Sequence, residues 1–161
     1  MKEQKFEFNY KVYSSIDELP EEQQWLLNEA REVTEQAYAP YSKFQVGAIA
    51  KMLNGEIVTG TNQENASFPV GLCAERVLLA SISSLFPKVP IETIAISYRS
   101  EMQKSDHPIS PCGICRQSLQ EFETRVNHPV QLILGGMEGP VYVIDSASRL
   151  LPLAFTSEEL R

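Results

Sequence analysis

The chain has 161 residues, 43% of them hydrophobic and 22% charged, which is ordinary for one globular domain that buries its own core. Its 14 lysines and arginines stand against 21 aspartates and glutamates, so the net charge is −7. A nucleic-acid surface needs clustered positive charge, and no basic block is present, so we predict a small-molecule partner and no nucleic acid.

Two further classes are disfavoured by the sequence. The first ten residues carry lysines without an apolar stretch behind them, so they do not resemble a signal peptide. The apolar stretches, such as VLLASISSLF, are too short to span a bilayer, so we predict no membrane partner. Three cysteines form no even set of disulfides, which favours a cytoplasmic protein whose thiols are free to bind metal.

In chain order, the pattern predicts a single domain over residues 1–161 that opens with an irregular or strand-like N-terminal extension, residues 1–20. Apolar residues at helical spacing, turn residues and β-branched runs then predict the remaining elements. These are helices over 20–39, 73–86 and 111–123, and strands over 44–52, 56–62, 91–99, 130–136 and 140–146. The Asn54-Gly55 pair predicts a hairpin between the first two strands. We therefore expect an α/β fold, with a mixed sheet of about five strands and helices on both faces.

The cysteines fall at predicted helix starts. Cys112 and Cys115 are three residues apart and share one helix face, with Ser110 predicted as the N-cap and Pro111 as the first helical residue. The unpaired N–H groups and dipole of a helix start favour thiolate over thiol. Cys73 also opens a predicted helix, so three thiolates could hold one Zn²⁺ and leave a fourth position open, as a catalytic site requires.

Glu75 follows Cys73 by two residues. The two side chains would point apart inside a helix, but they can converge at its first turn if Cys73 lies partly outside helical geometry. A carboxylate there could move a proton from a zinc-activated water to a substrate nitrogen. Arg76 and Arg116 adjoin the ligands, and we expect them to offset the thiolate charge by hydrogen bonds to sulfur.

Other interpretations fit parts of this pattern. A lone CxxC also occurs in redox pairs and structural zinc sites, His107 could complete a closed Cys₃His shell, and Glu75 alone could be a solvated first-turn glutamate. The joint pattern decides between them. C-x-E followed by P-C-x-x-C, each opening a helix, is typical of zinc deaminases.

The chain resembles the small, homotetrameric, three-cysteine cytidine deaminases. The resemblance rests on AYAPYSKFQVGAIA, GTNQENASFPVGLCAER, SPCGICRQSLQEF and LLPLAFTSEEL, which occur in the family's order. It implies a cytidine-deaminase-like fold and one Zn²⁺ per subunit. The implied roles are Cys73, Cys112 and Cys115 as zinc ligands, Glu75 as proton shuttle, Asn62 and Glu64 on the sugar hydroxyls, Phe44 and Ala74 in the substrate pocket, and Phe155 on the base of a neighbouring subunit.

The activity implied by the resemblance is zinc-dependent hydrolytic deamination of cytidine and 2'-deoxycytidine to uridine and 2'-deoxyuridine, with release of ammonia, in pyrimidine salvage. A deaminase of a cytosine-nucleoside antibiotic of the blasticidin S type is the alternative, and a zinc-stabilised binding module that uses His107 as a ligand is the non-enzymatic one. Two departures from the family stand out. Residues 97–110 form a longer segment than usual, and Leu153 occupies a position where the family often has glycine.

Overall fold

A computed structural model of the protein describes residues 1–160. It contains a six-stranded sheet in the order β1-β6-β5-β4-β2-β3, in which β4 and β5 are parallel and all other neighbours are antiparallel. The strands are Lys11–Tyr13 (β1), Phe44–Met52 (β2), Ile57–Thr61 (β3), Ile91–Ser100 (β4), Gln131–Gly135 (β5) and Val141–Ile144 (β6). The predicted mixed α/β fold is confirmed, with six strands in place of about five.

Three helices cover the two faces of the sheet, as predicted. They are Glu21–Val33 (α1), Ala74–Leu85 (α2) and Gly113–Val126 (α3). The buried residues Leu26, Leu27 and Ala30 of α1 pack with one set of strand residues, whereas α2 and α3 share the larger core cluster on the other face. Both faces are therefore buried, because each strand alternates its apolar side chains between the two layers.

The extra strand comes from the N-terminal extension. Lys11–Tyr13 pairs with β6 at the sheet edge, and Tyr10 packs its ring on Tyr142 at a centroid distance of 5.1 Å. The predicted β2–β3 hairpin is confirmed, with Gly55 at φ 86° after Asn54. Among residues 1–160, none of the helices combines the length and the hydropathy that crossing a bilayer requires.

The predicted start of α3 is wrong by two residues. The N-cap is Cys112, not Ser110, and the helix begins at Gly113 with Pro111 outside it. Cys112 has an extended backbone, φ −67° and ψ 170°, and its carbonyl accepts the first helical hydrogen bond from the N–H of Arg116 at 2.9 Å. The difference matters for the site, because an extended Cys112 directs its sulfur back toward the first turn of α3.

Candidate metal centre and active site

Three sulfurs meet where α2 and α3 begin. Cys73 and Cys112 are the N-caps of the two helices, both with extended backbone, and Cys115 is the third residue of α3. The sulfur of Cys112 lies 3.7 Å from that of Cys73 and 3.5 Å from that of Cys115, and all three lie within 4.8 Å of one another. Thiolates bound tetrahedrally at about 2.3 Å from one Zn²⁺ would be about 3.8 Å apart, so the three sulfurs fit that ion.

The contacts among the three thiols also change the pKa values of Cys73 and Cys115. A hydrogen bond from Cys115 lowers the pKa of Cys73 to about 6, against the effects of burial and of the Glu75 charge, and the Cys112 thiol and the Arg76 charge lower it further. The same contact with Cys73, together with burial, raises the pKa of Cys115. Without metal one proton therefore stays on Cys115, and a cation bound here would have to displace it.

Glu75 is the second residue of α2 and is buried, with 5% of its surface exposed. Burial raises the pKa of its carboxyl, against smaller opposing effects from its own backbone N–H and from the Cys115 thiol. The expected convergence of Cys73 and Glu75 is confirmed, since both line one cavity, and it follows from the extended backbone of Cys73. A buried carboxyl with a raised pKa can both accept and return a proton.

The cavity in front of the sulfurs has a volume of about 760 Å³, which suits a small organic molecule. The predicted pocket residues Phe44, Asn62, Glu64 and Ala74 all line it. The residues that sequence reasoning did not assign to it belong to three segments, namely Tyr41, Ser42 and Val46, then Gln63, Asn65, Phe68, Gly71 and Leu72, and finally Ile109 and Ser110. AYAPYS and SFPVGL lie within the matched motifs, and they were the available signal for the first two segments.

Two polar side chains just after β3, Asn62 and Glu64, also line the cavity. Asn62 accepts a hydrogen bond from the N–H of Val46 at 2.7 Å and donates to the carbonyl of Phe44 at 2.8 Å. Glu64 accepts from the N–H groups of Tyr41 and Ser42, at 2.9 and 3.2 Å, both at Oε2. Although desolvation opposes it, the bonds from Ser42 and Tyr41 and the charge of Lys43 lower the pKa of Glu64. Both side chains are thus fixed by neighbouring backbone.

The C-terminal residues lie outside this cavity. Phe155 is 59% exposed, does not line the cavity, and is held on α3 by its carbonyl, which accepts from Gln117 Nε2 at 2.9 Å. Leu153 has φ 55° and is fully exposed. The backbone at this position has the left-handed conformation that glycine adopts most easily.

The arginines do not donate hydrogen bonds to the sulfurs, contrary to the expectation, whereas His107 lies apart from the sulfurs. Arg116 donates to the carbonyl oxygens of Pro111, just before α3, and of Leu150, after β6, at 2.8 and 3.1 Å, and not to a sulfur. Arg76 acts on Cys73 through its charge. His107 contacts Tyr98 and Asp106 and lies outside the sulfur cluster of the described residues. The structure therefore gives no support to a closed Cys₃His shell.

Comparison with known proteins agrees with this geometry. Residues 20–128 match the family model for the cytidine and deoxycytidylate deaminase zinc-binding region, and this span contains all three cysteines and Glu75. A cytidine deaminase of Halalkalibacterium halodurans is 37% identical over 142 residues, covering 86% of this chain and 98% of that protein.

Comparison with solved structures shows that the fold is also similar to that of cytidine deaminases. The crystal structure of a cytidine deaminase from Burkholderia pseudomallei superposes with a TM-score of 0.70 and 38% identity, covering 81% of this chain and 97% of that one. A more distant relative, the blasticidin-S deaminase of Bacillus cereus, is 29% identical over 117 residues, or 71% of this chain and 79% of that protein.

Proposed function

This chain belongs to the cytidine and deoxycytidylate deaminase family, and we propose that it hydrolyses cytidine and 2'-deoxycytidine to uridine and 2'-deoxyuridine with release of ammonia. The observation that carries the proposal is one cavity lined by two kinds of polar group. Cys73 and Cys112 of the three-sulfur cluster line it together with the buried Glu75, and Asn62 and Glu64 line it as well. The first group suits reaction at a base, and the second suits binding of a sugar.

Cys73, Cys112 and Cys115 would hold one Zn²⁺ per chain, and the bound ion would supply Lewis-acid activation of a water molecule at neutral pH. Glu75 takes a proton from the attacking water, delivers it to N3 of the cytosine ring, and passes the second proton to the departing amine. Carbon C4 thus gains oxygen and loses ammonia. The charge of Arg76, which already lowers the pKa of Cys73, offsets part of the negative charge of the three thiolates.

Asn62 and Glu64 would bind the sugar. Their hydrogen bonds with the backbone of Phe44, Val46, Tyr41 and Ser42 fix both side chains before substrate arrives. Both backbone N–H groups donate to Oε2 of Glu64, and we infer that its Oε1 accepts from a ribose hydroxyl. A group fixed in advance binds without the entropic cost of ordering it.

The charges of the cavity favour a nucleoside over a nucleotide. Glu64 and Glu75 line it, and the lining residues identified within residues 1–160 include no lysine or arginine. The phosphate of deoxycytidylate would lie beside the Glu64 carboxylate without a cation to neutralise it, which is a repulsive arrangement. The paired sugar contacts likewise favour a plain nucleoside over an antibiotic of the blasticidin S type.

We further propose a homotetramer in which Phe155 covers the base in a neighbouring subunit. Phe155 is exposed and absent from the cavity of its own chain, while Tyr41 and Phe68 leave an exposed aromatic pair at the cavity rim, with ring centroids 6.1 Å apart. Leu85 adds exposed apolar surface on α2. An aromatic arm from another copy would bury these surfaces, and closed symmetry is the usual way to do so.

The three thiols that the site requires must stay reduced, which favours a cytoplasmic setting and a role in pyrimidine salvage.

Ammonia release tests the proposal with a panel of cytidine, 2'-deoxycytidine, deoxycytidylate and blasticidin S, each with and without a strong zinc chelator. We expect release from both nucleosides, little from deoxycytidylate or blasticidin S, and loss of activity with the chelator. Preference for deoxycytidylate or for blasticidin S would replace the proposed substrate. No release from any of the four would overturn the enzymatic proposal.

A further inference from the structure

Phe44, one wall of the cavity, is supported from behind by a buried tyrosine. The ring of Tyr98 is fully buried and stacks on that of Phe44, with centroids 5.0 Å apart and planes 21° apart. Residue 46 of β2 pairs with Tyr98 and Phe44 pairs with Ser100, so Phe44 and Tyr98 are diagonal neighbours on one face of the sheet. The position of the Phe44 ring therefore depends on where Tyr98 is held.

Tyr98 is held at its other end by the β4–α3 segment, residues 101–112. Its hydroxyl donates to the carbonyl of Lys104 at 3.4 Å and lies 3.2 Å from Nδ1 of His107, whose ring also contacts Asp106 at 3.1 Å. Burial, with the nearby Asp106 carboxylate, raises the pKa of Tyr98, so the hydroxyl remains protonated and can donate.

The segment is itself fixed to the sheet. The Ser105 carbonyl accepts from the N–H groups of Met137 and Glu138, at 2.7 and 3.3 Å, just after β5. A Cβ at Gly136 would collide with the Ser105 carbonyl and one at Gly139 with that of Asp106, so this close approach requires glycine at both positions. The support behind Tyr98 is therefore a packed structure and not a loose loop.

Beyond His107 the same segment becomes part of the site. Ile109 and Ser110 line the cavity, and Cys112 supplies a sulfur. The Tyr98–His107 pair thus joins two parts of the cavity wall, one carrying Phe44 and one carrying Ile109 and Ser110. Without this contact the two parts could move independently. Glu75, Cys73 and Cys115 would keep their supports on α2 and α3, and Cys112 is held as the N-cap of α3.

We propose that Tyr98 and His107 are positioning residues that set the width of the substrate cavity, and so its affinity for nucleosides. This inference rests on the proposed function. Neither residue touches the reacting atoms, so their loss should weaken binding more than turnover. The segment provides the hydrogen-bond partner that a buried tyrosine hydroxyl needs.

The experiment compares Tyr98→Phe, His107→Ala and the double variant with the wild type. Tyr142→Phe is the matched control, because it removes a hydroxyl from the same sheet without touching the cavity. We expect each single variant to raise KM for cytidine, and Kd for the product uridine measured by calorimetry, by about threefold to tenfold, with kcat within twofold. The double variant should match the singles, since the two residues act as one unit.

A merely structural role would lower the unfolding temperature and leave KM and Kd unchanged. Wild-type values of KM and Kd in both single variants, from a wild type that deaminates cytidine, would overturn this inference and spare the proposed function. His107→Ala removes a largely exposed side chain, so it decides the matter even if Tyr98→Phe folds poorly. A wild type that releases no ammonia from cytidine would overturn the proposed function, and this inference with it.

Discussion

Glu75 and Glu64 line the same cavity, and their surroundings act on them in opposite ways. Burial raises the pKa of Glu75, whereas hydrogen bonds from Ser42 and Tyr41 outweigh desolvation and lower that of Glu64. A carboxyl with a raised pKa suits proton transfer, and one that stays ionised suits binding to hydroxyl groups. The two residues are of the same type, so their different roles come from their surroundings: burial for Glu75 and nearby hydrogen-bond donors for Glu64.

The largest effect is expected from replacing Glu75, the proposed proton carrier of this pair of glutamates. Glu75→Gln keeps the shape of the side chain but cannot carry protons, so we expect kcat for cytidine to fall by about 10²–10⁴-fold or more, with metal content and unfolding temperature unchanged. Glu56→Gln, in the exposed β2–β3 hairpin, is the matched control and should behave as wild type. A Glu75→Gln variant that keeps a tenth of wild-type turnover would place the proton carrier elsewhere.

Glu64→Ala tests the proposed binding of the substrate's sugar by Glu64. Loss of a hydrogen bond to a charged group costs about 1.5–3 kcal/mol, so kcat/KM for cytidine should fall at least about tenfold. Free cytosine has no sugar, so its much weaker reaction should change little. The ratio of the two kcat/KM values, measured in the variant and in wild type, isolates the sugar contact. Equal losses for cytidine and cytosine would mean that Glu64 only holds the backbone of Tyr41 and Ser42.

The site around Glu75 is expected to need Phe155 from a neighbouring subunit. Phe155→Ala should weaken cytidine turnover severalfold, because an aromatic contact contributes about 0.5–1.5 kcal/mol beyond buried area. Phe155→Ala subunits co-expressed with Glu75→Gln subunits, under separate tags, should form tetramers in which some sites regain both residues. Specific activity per Phe155→Ala subunit should then exceed that of the variant alone. The arrangement is refuted by no gain on mixing, or by a fully active monomer.

The smallest expected effect is on stability and concerns Leu153, which does not line the cavity. Leucine in the left-handed conformation costs about 1–2 kcal/mol relative to a right-handed one, and glycine adds about 0.5–1 kcal/mol of unfolded-state entropy. Leu153→Gly should therefore stabilise the fold by up to about 1 kcal/mol, or about 2–4 °C in Tm. Leu153→Ala is the control, because it removes the side chain and keeps the strain. A lower Tm for Leu153→Gly than for Leu153→Ala would contradict this reading.

Local patterns predicted most of this molecule. Helix periodicity and the Asn54-Gly55 turn predicted the helices and the hairpin, because each depends on residues close in sequence. The sulfur cluster joins two helices, and it was predicted because each cysteine motif by itself opens a helix. What the sequence left open depends on distant pairing. Lys11–Tyr13 is a strand only because β6 offers a free edge, and Tyr98 serves the cavity only because a segment beyond β4 folds back onto its hydroxyl.

The N-cap of α3 shows that the prediction from sequence can fail even within a few residues. Ser110 followed by proline is a common helix start, and the pattern predicted it here. The structure instead leaves Cys112 extended as the N-cap, with its sulfur 3.5 Å from that of Cys115 and 3.7 Å from that of Cys73. Since Cys73 comes from another helix, the spacing of residues 110–115 alone could not reveal that geometry.

The most direct test of the account is a zinc titration of the chelated protein, with ammonia release from cytidine and bound zinc per chain measured in the same samples. The account predicts that activity is absent without metal, rises in proportion to bound zinc, and saturates at one zinc per chain, and that Cys112→Ser neither binds the ion tightly nor recovers. Activity in the metal-free protein, or a chain that holds one zinc and releases no ammonia from cytidine, would contradict it.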